Sequence, residues 1–193
     1  MTDATSYRWE DDYADLHLDD STYADFDWDE VPAAVVSRHD TYLVMGAAEL
    51  EHASFDGEDP ITQWAAARRW LALGRIDRFE SAVRAVLSTE KTNPSPWLSY
   101  PDLRLELGRA LSASNLAAAR QLFDEYEAAT GHSPTEAARY RGLTEISHGD
   151  KERGAELLCA AVRTHGAAEP ELASTFAESL FDLGEREIAH KVL

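Results

Sequence analysis

SPTEAARYRGLTEISHGDKERGAELLCAAVRTH, residues 133–165, holds the pattern that decides the fold. Ser133-Pro134-Thr135-Glu136 has the order of a capping box with proline in the first turn, so a helix is expected over 134–148. Gly149-Asp150-Lys151 breaks that helix, and a second is expected over 150–165. The two-helix unit recurs on both sides. Leu73-Gly74-Arg75, Ser114-Asn115-Leu116 and Gly184-Glu185-Arg186 each separate two stretches of helical periodicity. From Gly74 to Ser114 is 40 residues, and the next two intervals are 35 each. The longer interval contains the breaker Thr92-Asn93-Pro94-Ser95-Pro96, with Pro101 close behind.

The remaining helices follow from periodicity. Asp59-Pro60 pairs a cap with a first-turn proline and starts a helix carrying Trp64, Ala67 and Leu71. Ile76, Phe79, Val83, Val86 and Leu87 form the next apolar stripe. Further helices are expected over 101–113, 115–130, 169–183 and 185–193. One more, starting at Pro32, should run to about Phe55-Asp56-Gly57 and cap the array over 32–58. No stretch sustains a two-residue alternation, so no sheet is expected. The fold class is all-α: four helix–turn–helix units over 59–193, preceded by one extra helix.

Composition narrows the function. Eighteen basic against thirty-six acidic side chains leave a formal charge of −18. Such a surface repels phosphate backbones and anionic lipid, so neither nucleic acid nor membrane is an expected partner. No apolar run approaches the roughly 18 residues of a membrane span, and the acidic start is unlike a signal peptide, which gives a cytoplasmic expectation. The one cysteine, Cys159, excludes an internal disulfide framework and reads as a structural thiol in the core.

The charge is uneven. Residues 1–31 carry eleven acids and one base, Arg8, for a net −10. Six aromatics sit among these acids: Tyr7, Trp9, Tyr13, Tyr23, Phe26 and Trp28. Such a tail is disordered in isolation or docks on a surface. Trp9, Tyr23, Phe26 and Trp28 are the candidate docking side chains. Asp25, Asp27 and Asp29 alternate as in a calcium loop, but Glu30 stands where that loop needs its turn glycine.

A helical hairpin repeated at about 34 residues resembles the tetratricopeptide-repeat family. Gly142, Gly149, Gly154, Leu158 and Ala161 match its small-residue pattern in the third unit, Ala119 and Phe123 in the second, and Ala189 in the fourth. The first unit departs, with Phe79 where a small residue is usual. The resemblance implies a right-handed solenoid whose first helices line a concave, ligand-binding face. Aligned on the turns, that face is expected to present Trp64, Arg68, Arg104, Arg139, Tyr140 and Glu178, with Arg69 or Arg109 as register substitutes. The guanidinium fork suits carboxylates and stacks on aromatics. The lysine/asparagine set of the family's carboxylate-clamp members has no counterpart here, so a chaperone-tail receptor is not expected.

Chemistry leaves little trace. There is no glycine-rich phosphate loop, no zinc-protease His-Glu motif and no serine elbow. Glu-x-x-His occurs three times, as Glu49/His52, Glu145/His148 and Glu187/His190. On a helix that spacing can present two metal ligands on one face, so a carboxylate-bridged metal enzyme is one alternative. An acidic mimic of nucleic acid that sequesters a basic partner is another. The expectation that the pattern favours is a non-enzymatic adaptor without cofactor or metal. It would hold a peptide or protein segment in its groove, under regulation by the acidic tail. Ile188, Ala189, Val192 and Leu193 read as an uncovered apolar end, for which a homodimer through the C-terminal helix is the expected cover.

Overall fold

A computed structural model describes residues 27–55, 57–131 and 135–193. Among them every element is helical. A short 3-10 turn, Trp28–Glu30, leads into α1 (Ala33–Val44), α2 (Ala47–His52), α3 (Pro60–Ala72) and α4 (Ile76–Thr89). Then come α5 (Tyr100–Leu111), α6 (Leu116–Thr130), α7 (Thr135–His148), α8 (Lys151–His165), α9 (Leu172–Asp182) and α10 (Arg186–Val192). The chain forms two compact units that divide inside α5, one ending at Leu103 and one running from Arg104 to Leu193.

The helix ends carry the expected chemistry. Asp59, Asn115 and Asp150 each accept a backbone N–H from the first turn of α3, α6 and α8. Gly74 and Gly184 close their hairpins identically, at φ +69° and +77°. Each donates three residues back, to Leu71 and Phe181, while the following residue reaches back to Trp70 or Leu180. Only glycine adopts that left-handed geometry without strain. Ser133 and Pro134, the expected start of α7, lie outside the described residues. The breaker segment is tied down by Tyr100, whose hydroxyl accepts the buried Ser95 N–H at 3.0 Å.

In the first unit α1 packs on α3, and α3 on α4. The core holds Tyr42, Ile61, Trp64, Phe79, Val83 and Val86. The single helix expected over 32–55 is two, broken at Met45-Gly46. Glu49 caps the second by accepting from the Gly46 N–H at 2.9 Å, and Arg69 Nε donates to the Met45 carbonyl at 2.7 Å. The expected tail boundary at residue 31 also falls late: Val31 is buried, and the Trp28 ring lies 5.0 Å from the ring of His39. Trp64 is corrected. It is 0 % exposed, with its ring 6.1 Å from Phe79, and lines no groove. Helix α3 is covered on two sides, by α4 and by α1, so its apolar arc is wider than alignment on the turns implies.

In the second unit α7 and α8 form the tightest hairpin. A Cβ added at Gly154 would lie 2.6 Å from the Gly142 carbonyl oxygen. One added at Gly142 would lie 2.6 Å from Leu158 Cδ2. Leu158, Leu172, Phe176, Leu180 and Ile188 build one core across α8, α9 and α10. This overturns the premise of an uncovered C-terminal end. Ile188, Ala189 and Val192 are buried by α8 and α9, and of that group Leu193 alone is exposed. The residues that called for a homodimer are already covered. Cys159 is half-buried beside this core rather than inside it, with Sγ 3.7 Å from the Lys191 carbonyl.

Two outcomes follow from this packing. Gly154→Val should destabilise the protein by about 2 kcal/mol despite valine's lower backbone entropy, because the contact it meets is backbone; urea titration of the full chain measures it. His39 is buried, and burial pushes its imidazole below the ordinary value, with nearby Arg68 acting in the same direction against Asp40. Its contribution is therefore present above about pH 6.5 and is lost as pH falls from there through the folded value. Replacing it in His39→Phe should flatten the stability-versus-pH curve over that window.

Candidate functional site

The second unit carries a continuous row of polar and aromatic side chains on α5, α7 and α9, the first helices of its hairpins. Glu106 and Arg109 stand one turn apart on α5, and Arg109 Nη1 donates to Glu106 Oε1 at 2.7 Å. The Arg109 guanidinium lies over the Tyr140 ring of α7, 4.3 Å from its centroid. Arg139 approaches the same ring at 5.7 Å. From there Arg139 Nη2 donates to Ser179 Oγ of α9 at 2.9 Å. Below the row, the buried hydroxyls of Ser112 and Thr144 lie 2.9 Å apart. Burial raises the Tyr140 phenol above its ordinary value, so it stays a neutral donor at any physiological pH.

Next to Arg139 the row opens into a cleft of about 430 Å³ between the starts of α7 and α9. Leu172 and Phe176 form its apolar floor, Thr135 and Thr175 offer hydroxyls, and Glu136, Glu169 and Glu171 stand at its rim. Two helix N-termini point into this region, which explains the acids: each offsets the positive end of a helix. Arg139 Nε is buried and, among the described residues, has no hydrogen-bond partner. Arg139 itself is among the residues that line the cleft.

A second set of arginines ties α6 to α7. Arg120 of α6 grips Glu145 of α7 in a two-pronged pair, Nε to Oε1 at 2.7 Å and Nη2 to Oε2 at 2.6 Å. Glu145 is 1 % exposed and also accepts the Asp150 N–H, so it caps α8 as well. The Arg120 hydrogen bonds hold its carboxyl below the usual carboxylate range. Arg141 reaches from α7 to Asp124 and Glu127 of α6.

The expected groove residues are thereby sorted. Arg139 and Tyr140 lie in the row. Arg104 does not: its Nε is 3.7 Å from Glu125 of α6, because its turn of α5 faces its own hairpin partner. Glu178 is exposed, and the α9 side chain that meets Arg139 is its neighbour Ser179. Trp64 and Arg68 belong to the first unit, where Trp64 is core and Arg68 is half-buried near His39. Arg109, expected only as a register substitute, is central. Pairing of these arginines with neighbouring glutamates such as Glu106 is the other expectation, and Arg109 meets it, whereas Ser179 and the Arg120–Glu145 pair were not foreseen. For Ser179 alone the spacing is a signal, since it lies 40 residues from Arg139, near the repeat interval. Of the docking aromatics, Trp9, Tyr23 and Phe26 lie outside the described residues, and Trp28 packs on His39 of α1.

The Glu-x-x-His pairs are also sorted. Glu145 is buried in its ion pair, Glu49 caps α2, and His190 packs edge-on against Phe181 at 5.7 Å. Among the described residues no three His, Cys, Asp or Glu side chains converge as a metal site. Nor is any described helix long and apolar enough to cross a membrane. No protein-family model, curated protein or solved structure matches the chain.

The α6–α7 pair predicts an asymmetry. Arg120→Met leaves a buried carboxylate without its partner and should cost about 3 kcal/mol at pH 7. Glu145→Gln leaves a guanidinium that can turn to water and should cost less. Because the Glu145 carboxyl titrates below its unfolded value, the pair's contribution is present above about pH 4.5 and is lost as pH falls through the folded value. Chemical denaturation of both variants at pH 7 and at steps from pH 4.5 downward measures the order and its decline.

Proposed function

We propose that this chain is a tetratricopeptide-like repeat of helical hairpins that works as a non-enzymatic adaptor. It holds a peptide or protein segment against the first-helix row of its second unit. The observation that carries this reading is the Glu106–Arg109–Tyr140–Arg139–Ser179 relay. Three successive first helices contribute to one fixed polar and aromatic row, and the row ends in an open cleft with an apolar floor. Such a row is rigid before binding, because each side chain is held by its neighbour on the next helix. Preorganised side chains give up little entropy on binding, which favours extended ligands over compact ones. An apolar residue of the ligand would sit on Leu172 and Phe176, and an acceptor such as a carbonyl or carboxylate would take the spare capacity of Arg139.

The test uses the full chain with a photo-reactive phenylalanine analogue at the exposed rim position Thr175. In lysate of the native organism a discrete cross-linked partner is expected. Arg139→Ala should reduce its yield about tenfold, whereas Arg153→Ala, on the exposed side of α8, should leave it unchanged. No discrete adduct, or an adduct indifferent to Arg139, would sink the reading.

A further inference from the structure

Helix α1 presents two faces, one apolar and buried, the other mixed, with Ser37, Asp40 and Thr41 among its apolar residues. One face, with His39 and Tyr42, is buried against the first unit. The other runs along Ala33, Val36, Asp40 and Val44, at steps of three and four residues, and stays open. Beside it stand Trp28 and Val31, so that turn and helix enclose a shallow groove of about 780 Å³. Val44 is 77 % exposed and Trp28 39 %. Single exposed apolar residues are ordinary, but these line one groove together with Val36, and apolar side chains gathered in a polar-rimmed groove are where a partner can dock.

Charge selects the occupant. Asp29 and Asp40 line the groove, and among the described residues no basic one does. His39 Nδ1 lies 3.1 Å from Asp40 Oδ1, but burial keeps that imidazole neutral near pH 7, so it does not cancel the carboxylate. Two occupants are thereby disfavoured. Residues 1–26 carry eight acids and one base, and would bring negative charge to a negative rim. A second copy would bring Asp29 and Asp40 against their own equivalents. A helix with an apolar stripe flanked by lysine or arginine satisfies both features at once: its stripe lies on Val36, Val44 and Trp28, and its cations meet Asp29 and Asp40. The twelve residues of α1 give a contact about 18 Å long, enough for three anchors at successive turns of the incoming helix.

We propose that the outward face of α1, walled by Trp28, is a docking groove for a basic amphipathic helix of a partner protein. The groove shares no residue with the α5–α7–α9 row and does not depend on its function.

The test titrates the isotope-labelled full chain with an 18-residue helical peptide of leucine and lysine in amphipathic order. A scrambled peptide of the same composition and a leucine–glutamate analogue serve as comparisons. The Val36 and Val44 methyl signals should shift with the ordered lysine peptide, and its affinity should exceed that of either comparison at least tenfold. Val36→Ser/Val44→Ser, at partly and fully exposed positions, should lower that affinity at least tenfold while the circular dichroism and melting temperature hold. Asp29→Asn/Asp40→Asn should lower it and reduce its dependence on salt. Equal binding of the scrambled peptide, or indifference to the valine and aspartate changes, would reduce the effect to general attraction by an acidic protein and overturn the proposal. Contacts from Val44 to residues 1–26 without peptide would overturn it in favour of the chain's own segment. Shifts at Val36 and Val44 that grow with protein concentration would overturn it in favour of a second copy.

Discussion

Helices α7 and α8 lie so close at Gly142 and Gly154 that neither position has room for a methyl group. The rest of the second unit is built on that approach. With the two backbones in near contact, Leu158 has no exposed path and becomes the centre of the core. Phe176 and Leu180 of α9 join the same core, and Ile188 and Val192 of α10 close it. A larger residue at either glycine would not merely crowd one side chain. It would separate the hairpin whose outer surface fixes where α9 stands, and with α9 the Ser179 hydroxyl that Arg139 needs.

Arginine does two different jobs in this acidic chain. Arg120 and Arg141 tie α6 to α7, and the Arg120 partner, Glu145, is removed from water almost completely. Such a pair yields little net stability over an apolar contact, but it fixes register, because no other pairing satisfies the buried carboxylate. Arg109 and Arg139 instead approach the Tyr140 ring, and among the described residues the buried Arg139 Nε has no hydrogen-bond partner. The same residue type thus pairs with acids of α6 on one side of α7 and meets an aromatic ring on the other.

Local chemistry was legible in the sequence where it depends on a few adjacent residues. Asp59-Pro60, Asn115, Asp150, Gly74 and Gly184 start or stop helices at the expected places, since capping and left-handed turns are decided within one turn of chain. The need for small residues at Gly142 and Gly154 was legible too, because the repeat brings those positions into register. The break at Met45-Gly46 was not. It is held by Arg69, 24 residues away, and no local pattern announces a carbonyl capped from another helix.

Of the site, the sequence by itself determined Arg139 and Tyr140 as neighbours on a first helix and supplied arginines at about one-repeat intervals. Only the tertiary structure decided which of them face a common row. Trp64 went to the core because α1 covers a second side of α3, and Arg104 went to Glu125 because its turn of α5 faces α6. Arg109 entered the row because it stands over the Tyr140 ring. Helical periodicity tells which residues share a face. Which neighbour covers that face depends on contacts tens of residues apart, and these are set by packing rather than by local propensity.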